Sequence, residues 1–129
     1  MYDAKTSIGD FLEAAAARQP TPGGGSITGL VGALSAVMGE MVLNYSIGKK
    51  DLAAYESELR PALAEMTKAR RVLLELMIED QLAYEALTEA RKLPAGSAER
   101  KAQEPGALLA AIRVPQTVAA TSVAILELA

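Results

Sequence analysis

The chain contains no cysteine, no histidine and no tryptophan, and phenylalanine occurs once. Without cysteine there are no disulfides, no thiolate metal sites and no cysteine nucleophile. Without histidine the commonest general base and the commonest neutral-nitrogen metal ligand are gone, and with them any Ser-His-Asp triad. Acid–base chemistry must come from Asp, Glu, Lys or Tyr. Aromatic residues make up only 4% of the chain, which argues against a β-sandwich or barrel. Positive charge is not in surplus either. Thirteen basic and 16 acidic residues leave a net charge of −3, so the basic footprint of a nucleic-acid partner is missing. Met1 to Asp10 has no basic segment followed by an apolar core. No signal peptide is read there, and the expected location is cytoplasmic.

What is present points to helices. The 129 residues suit one domain, and 25 alanines and 17 leucines favour packed α-helices. The expected fold is an all-α, antiparallel bundle of long helices forming a single domain over residues 1–129. A first helix is predicted over Ser7 to Ala17, capped by Ser7 with Asp10 three residues on, and with Ile8, Phe11, Leu12 and Ala15 as its apolar stripe. Gln19 to Ser26 reads QPTPGGGS, and its prolines and consecutive glycines are not expected to propagate a helix.

A second helix, from about Ser26 to Ile47, is apolar on nearly every face. Its small residues recur four apart, as in Gly29/Ala33, Gly32/Ala36 and Ser35/Gly39, which lets another backbone approach closely. A helix apolar all round is buried in a large core, an oligomer or a membrane. Its span and single formal charge leave a membrane helix from Ile27 to Ile47 as one reading. After the turn Gly48-Lys49-Lys50, Asp51 is expected to cap a long helix running to about Lys92, with Pro61 breaking or kinking it early. Leu59, Leu63, Met66, Leu73, Met77, Tyr84 and Leu87 form one stripe, interrupted by Arg70 and Asp80. Ala62, Ala69, Leu76, Ala83 and Ala90 form a second seam, as expected of a bundle core or a dimer. Leu93 to Pro105 reads as a loop with a short helical turn near Ala98 to Gln103. A last helix is expected from about Gly106 to Ala129, kinked near Pro115. It stops in mid-pattern, so the chain reads as C-terminally incomplete.

Four features are candidates for chemistry. The glycine run before a helix exposes backbone N–H groups that can cradle an anion, aided by the helix dipole. It is neither a Walker A loop, since no Lys-Ser/Thr follows, nor a dinucleotide fingerprint, since no strand precedes it. The plainer alternative is a tight turn with Ser26 as N-cap. Asp80 interrupts an apolar stripe. Burial of such a carboxylate is costly unless it is paired, and a carboxylate tuned by burial serves as a general acid or base. The alternative is a salt bridge to Arg70 or Lys49. Glu79 beside it reads as solvated. Glu40 and Asn44, four apart, share one face and either line a polar pocket or reach solvent. Lys49 and Lys50 suit a helix C-terminus and either bind carboxylates of an acidic ligand or are solvated turn residues.

Thr21 to Ser26 (TPGGGS), the small-residue helix after it and Gly48-Lys49-Lys50 together resemble the cyclodeaminase/cyclohydrolase family. That family includes formiminotetrahydrofolate cyclodeaminase domains and bacterial methenyltetrahydrofolate cyclohydrolases. Asp10-Phe11-Leu12 resembles its opening, and Asp80-Gln81-Leu82-Ala83-Tyr84 its Asp-x-x-Ala-aromatic stretch. Leu93-Pro94 and Val114-Pro115 also occur where members carry such pairs. The resemblance implies an all-α, dimer-forming fold with a tetrahydrofolate derivative as substrate in a cleft, no metal and no tightly bound cofactor. It implies a homodimer without nucleic-acid or membrane partners. On this reading Asp80 is catalytic, moving a proton and stabilising a cation. Pro22, Gly23, Gly24, Gly25, Ser26, Asn44, Lys49 and Lys50 bind the pterin or the acidic glutamate tail. A non-catalytic helical dimerisation module of the same fold is the competing reading.

Overall fold

A computed structural model describes all residues, 1–129, as helices joined by short connections. Helix α1 spans Ile8–Ala16. Ser7 caps it, its Oγ accepting the Asp10 N–H at 3.0 Å, as the sequence pattern predicts. Only Phe11 of its expected apolar stripe is fully buried, edge-on against Tyr2, while Ile8 and Leu12 face outward.

Helix α2 spans Gly24–Ser46, with Gly23 as its N-cap. It starts two residues earlier than predicted. Gly24 and Gly25 sit inside its first turn, and Ser26 is not the cap. Its buried residues are Ser26, Gly29, Gly32, Ala33 and Ala36, all small. A Cβ at Gly29 would stand 3.1 Å from the Leu73 carbonyl oxygen, and one at Gly32 would stand 3.1 Å from Leu73 Cδ1. The small-residue edge therefore presses on the next long helix, as the four-residue spacing suggests. The large apolar residues of α2 are the ones left outside: Val31, Leu34, Met38, Met41 and Val42 are all exposed.

Gly48, at φ +86°, turns the chain. A 3-10 segment, Lys50–Tyr55, then leads into α3, Glu56–Lys92. Asp51 lies in that segment and does not cap α3, whose N-cap is Tyr55 without a side-chain bond. Pro61 is the sixth residue of α3, and the helix runs on through it. Helix α4 spans Ala98–Leu128. It begins eight residues before the expected start at Gly106, because Ser97 caps it by accepting the Arg100 N–H at 3.2 Å. Pro105 and Pro115 both lie inside it, so the predicted loop reduces to the short turn around Gly96 (φ +78°).

Helix α3 is the centre of the molecule, with α2 and α4 packed along it. Gly39 meets Met66, Glu40 meets Arg70, Gly32 meets Leu73 and Ser26 meets Asp80, a descending register that makes α2 and α3 antiparallel. Leu73, Leu76, Met66 and Ala83 from α3, Ala33 and Ala36 from α2, and Val114, Val118 and Ile125 from α4 make the core. Both predicted α3 seams thus contribute. Tyr84 is the exception, lying 45% exposed.

The polar residues that interrupt the α3 stripe each find a partner. Arg70 Nε donates to Glu40 Oε2 at 2.6 Å, and Thr67 Oγ1 donates to Glu40 Oε1 at 2.7 Å. Gln81, fully buried, grips the Tyr2 peptide: its Oε1 accepts the Tyr2 N–H at 3.0 Å and its Nε2 donates to the Tyr2 carbonyl at 2.8 Å. Asp80 lies one residue before that clamp.

Candidate active site

The site is built where the start of α2 crosses the middle of α3. Asp80 Oδ2 accepts the Ser26 N–H at 2.9 Å, and Ser26 Oγ lies 3.2 Å from the same oxygen. The Ser26 hydroxyl also donates to the Met77 carbonyl at 2.8 Å, so one proton serves two acceptors. The carboxylate sits at the positive end of the α2 dipole, where a negative charge is favoured. Its partner is neither Arg70, which is committed to Glu40, nor Lys49, which is exposed. The expectation of a desolvated carboxylate or a salt bridge is therefore replaced by a half-buried carboxylate held by a helix start.

Glycine is required for this contact. A Cβ at Gly25 would overlap the Asp80 carboxyl group, and one at Gly23 would stand 3.7 Å from Oδ2. Gly24 has open space around it. The glycine run therefore makes room for the chain's own Asp80 carboxylate, whose backbone hydrogen bond comes from Ser26 and not from the glycines. Two features stay open to a ligand. Asp80 Oδ1 accepts no hydrogen bond from the chain, and the Gly24 and Gly25 N–H groups, in the first turn of α2, have no acceptor.

The other expected site residues divide. Pro22, which follows a cis peptide bond from Thr21, and Ser26 are buried and present no surface to a ligand. Ser26 acts through Asp80 instead. Asn44, Lys49 and Lys50 are exposed at the far end of α2. Eighteen residues of helix separate Ser26 from Asn44, a rise of about 27 Å. One chain does not bring them to Asp80. The face expected to pair Glu40 with Asn44 splits, Glu40 turning to Arg70 and Thr67 while Asn44 meets solvent. The Arg70 guanidinium beside Glu40, with help from Thr67, holds the Glu40 carboxyl below the usual carboxylate range.

A cavity of about 240 Å³ lies beside the glycine loop, between Pro20 and Thr21 on one side and Tyr84, Glu85 and Thr88 on the other. A wider apolar hollow, about 390 Å³, runs between α3 and α4 past Ala69, Val72 and Ala124, and neither Asp80 nor the glycine loop lines it. The smaller cavity is the one adjoining the polar chemistry.

The same arrangement of helices has been seen before. The structure superposes on a formiminotetrahydrofolate cyclodeaminase from Thermotoga maritima with a TM-score of 0.77, at 27% identity, covering 96% of this chain and 71% of that one. The family pattern described as formiminotransferase-cyclodeaminase matches residues 7–129. The chain belongs to the formiminotransferase-cyclodeaminase family. Among its relatives, a methenyltetrahydrofolate cyclohydrolase from Methylorubrum extorquens is 33% identical over 112 residues. A formimidoyltransferase-cyclodeaminase from Gallus gallus is 32% identical over 117 residues. Each match covers 87% of this chain, which spans about half (54%) of the first relative and about a fifth (21%) of the second. The all-α fold read from composition agrees with that membership.

Proposed function

We propose that this chain is the helical core of a folate one-carbon enzyme that makes or breaks a C–N bond at the bridge between the two folate nitrogens. The observation that carries this reading is Asp80, fixed through Oδ2 and left open at Oδ1 beside two unpaired backbone N–H groups. That pairing of a proton acceptor with oxygen-stabilising donors suits a tetrahedral carbon between two nitrogens. In the hydrolytic direction, water adds to the methenyl carbon of 5,10-methenyltetrahydrofolate and Asp80 takes the water proton. The hydroxyl proton of the adduct is then lost to solvent, and the C–N5 bond breaks as Asp80 returns its proton to N5, leaving 10-formyltetrahydrofolate. The Gly24 and Gly25 N–H groups stabilise the oxygen that develops charge. In the deaminating direction, N10 of 5-formiminotetrahydrofolate attacks the carbon of the protonated formimino group, Asp80 moves the N10 proton to the nitrogen that already carries two, and the C–N bond to it breaks to release ammonia and leave the methenyl cation. Both reactions use one carboxylate as shuttle and need neither histidine nor cysteine.

The exposed apolar face of α2 supports a homodimer. An antiparallel, two-fold pairing of two α2 helices about Ser35 would set position 26 of one opposite position 44 of the other. Asn44, Lys49 and Lys50 of the partner subunit would then approach Asp80, with the lysines placed for the glutamate tail. Helices α2 and α4 are long and apolar enough to cross a membrane by length and composition. Against a membrane setting, α2 packs by its small-residue edge on α3, whose outer face carries Glu65, Lys68, Arg71 and Glu75. We therefore place the protein in the cytoplasm as a soluble enzyme, and recovery without detergent tests this.

The exposed α2 face also favours the second reading, a dimerisation module without turnover. The deciding experiment follows methenyltetrahydrofolate hydrolysis by absorbance, and ammonia release from formiminotetrahydrofolate, for wild type and Asp80→Asn. A fall of about 10²- to 10⁴-fold in rate is expected on losing the proton acceptor. Equal rates would remove Asp80 from the mechanism. A dimeric wild type without either activity would favour the module.

A further inference from the structure

The cavity beside the glycine loop has a chemistry that the proton shuttle does not use. One wall is the loop at Pro20 and Thr21, and the other is α3 at Tyr84, Glu85 and Thr88. Helix α3 also carries Asp80, and the loop runs on into the first turn of α2, where Ser26 bonds it. Tyr84 follows Asp80 by one helical turn, so both lie on one face. Its side chain is 45% exposed, and it is the one aromatic residue lining this cavity. Of the two glutamates lining the cavity, Glu85 is unpaired and Glu89 is held by Lys92. The cavity thus offers an aromatic face and a free carboxylate, with the Glu89–Lys92 ion pair on the same wall, one helical turn along α3 from the reacting carboxylate.

We infer that this cavity is the ring-recognition half of the site, with the Tyr84 ring stacking on the bicyclic head of a reduced pterin and Glu85 reading its far edge. The inference rests on the folate reading above. A pterin head carries two neighbouring N–H donors, the ring amide and the exocyclic amine, at the end away from the one-carbon bridge. A carboxylate accepts such a pair through both oxygens. An aromatic side chain adds stacking. The rise from Asp80 to Glu85 is about 7.5 Å along α3, the scale of a fused two-ring system. A ligand with its bridge at Asp80 Oδ1 that runs along and partly around α3 past Tyr84 brings its far edge to the level of Glu85, about 140° around the helix from Asp80. Tyr84 and Glu85 are positioning residues in this arrangement and take no part in proton transfer.

The test compares wild type, Glu85→Gln and Tyr84→Leu. Turnover of methenyltetrahydrofolate is measured, together with calorimetric binding of two fragments, a reduced pterin without a tail and p-aminobenzoylglutamate without a pterin. Both substituted side chains are exposed, so the helix is retained and circular dichroism confirms it. Each variant is expected to raise KM and weaken pterin-fragment binding about tenfold, the scale of a lost charged hydrogen bond, with kcat and tail-fragment binding unchanged. If wild type turns over and the variants keep its KM, the cavity assignment is overturned while the folate reading stands. If the variants lose only tail-fragment binding, the cavity holds the tail and the assignment is again overturned. If wild type neither binds nor converts any folate, the folate reading falls and takes this inference with it.

Discussion

The Ser26 N–H and the Asp80 carboxylate meet at 2.9 Å although 54 positions separate them in sequence. The contact joins the first turn of α2 to the middle of α3, and it decides which glycine in the PGGGS run matters. Gly25 faces the carboxyl group, and Gly24 faces open space.

Alanine at position 25 is therefore expected to cost far more than alanine at position 24. In a helix, Ala is ordinarily favoured over Gly by up to about 1 kcal/mol. At Gly24 that preference meets no obstacle, so Gly24→Ala should leave stability equal or slightly raised. At Gly25 the new methyl overlaps the carboxyl, and Asp80 must move. A displacement near 1 Å in a reacting group costs on the order of 100-fold in rate. Paired assays of methenyltetrahydrofolate hydrolysis on the two variants check this. Equal activity would show that Asp80 tolerates displacement.

Ser26→Ala separates the hydroxyl from the amide. The variant removes the Oγ contacts with the Met77 carbonyl and with Asp80 Oδ2 but leaves the N–H that holds Asp80. The Met77 carbonyl keeps a second donor, Gln81 Nε2 at 3.1 Å, and is not orphaned. The expected stability loss is about 0.5–1.5 kcal/mol by urea unfolding. Activity should fall less than tenfold, since the contact that fixes Oδ2 survives. A loss as deep as that of Asp80→Asn would assign the hydroxyl a part in catalysis.

The Glu40 carboxyl makes stability depend on acid pH. Its pKa in the folded protein is lowered from 4.5 by the Arg70 hydrogen bond, opposed by burial and supported by Thr67. A depressed folded value means that the stabilisation is complete above 4.5 and is lost as pH falls through the lower folded value. Glu56 and Glu104, also lowered by their hydrogen bonds, act in the same direction. Glu40→Gln should lower stability at neutral pH and flatten its decline on acidification. Urea midpoints at neutral pH and at about pH 4 give the comparison. Parallel decline in both proteins would show that the pair contributes nothing.

These relationships differ in how far they are visible in the sequence. The small-residue edge of α2 was legible because Gly29, Ala33 and Ala36 repeat at helical spacing, and α3 does lie against that edge. The Ser7 cap was legible because capping is local. The start of α4 was missed because Pro105 suggested a break, although a proline removes only one helical bond and Ser97 had already capped the helix. Asp80 stood out as a charge on an apolar stripe. Its partner did not, because pairing an acid with a backbone N–H leaves no mark in the pattern of charges. The Gln81 grip on Tyr2 was hidden for the same reason. The family resemblance joins Lys49 and Lys50 to the glycine loop in one site, whereas about 27 Å of helix separates Asn44, just before them, from Ser26.

That separation makes the proposed dimer testable in two linked steps. Met38 is 65% exposed on the outward face of α2, next to Val42 and Met41, which are also exposed. A lysine there should keep the fold, since the side chain is largely exposed, but would place a charge in the two-fold contact, three residues from its axis at Ser35. Met38→Lys is expected to shift the protein from dimer to monomer by sedimentation, and a monomeric wild type would end the proposal. The second step uses Lys49→Gln. If Lys49 of the partner subunit serves the site, this substitution weakens folate binding in the dimer but adds nothing to the loss already caused by Met38→Lys. Such non-additivity is the signature of two residues acting through one assembly, whereas independent surface positions more than about 10 Å apart add. Simple addition of the two effects would confine Lys49 to the far end of its own chain, with no part in the site.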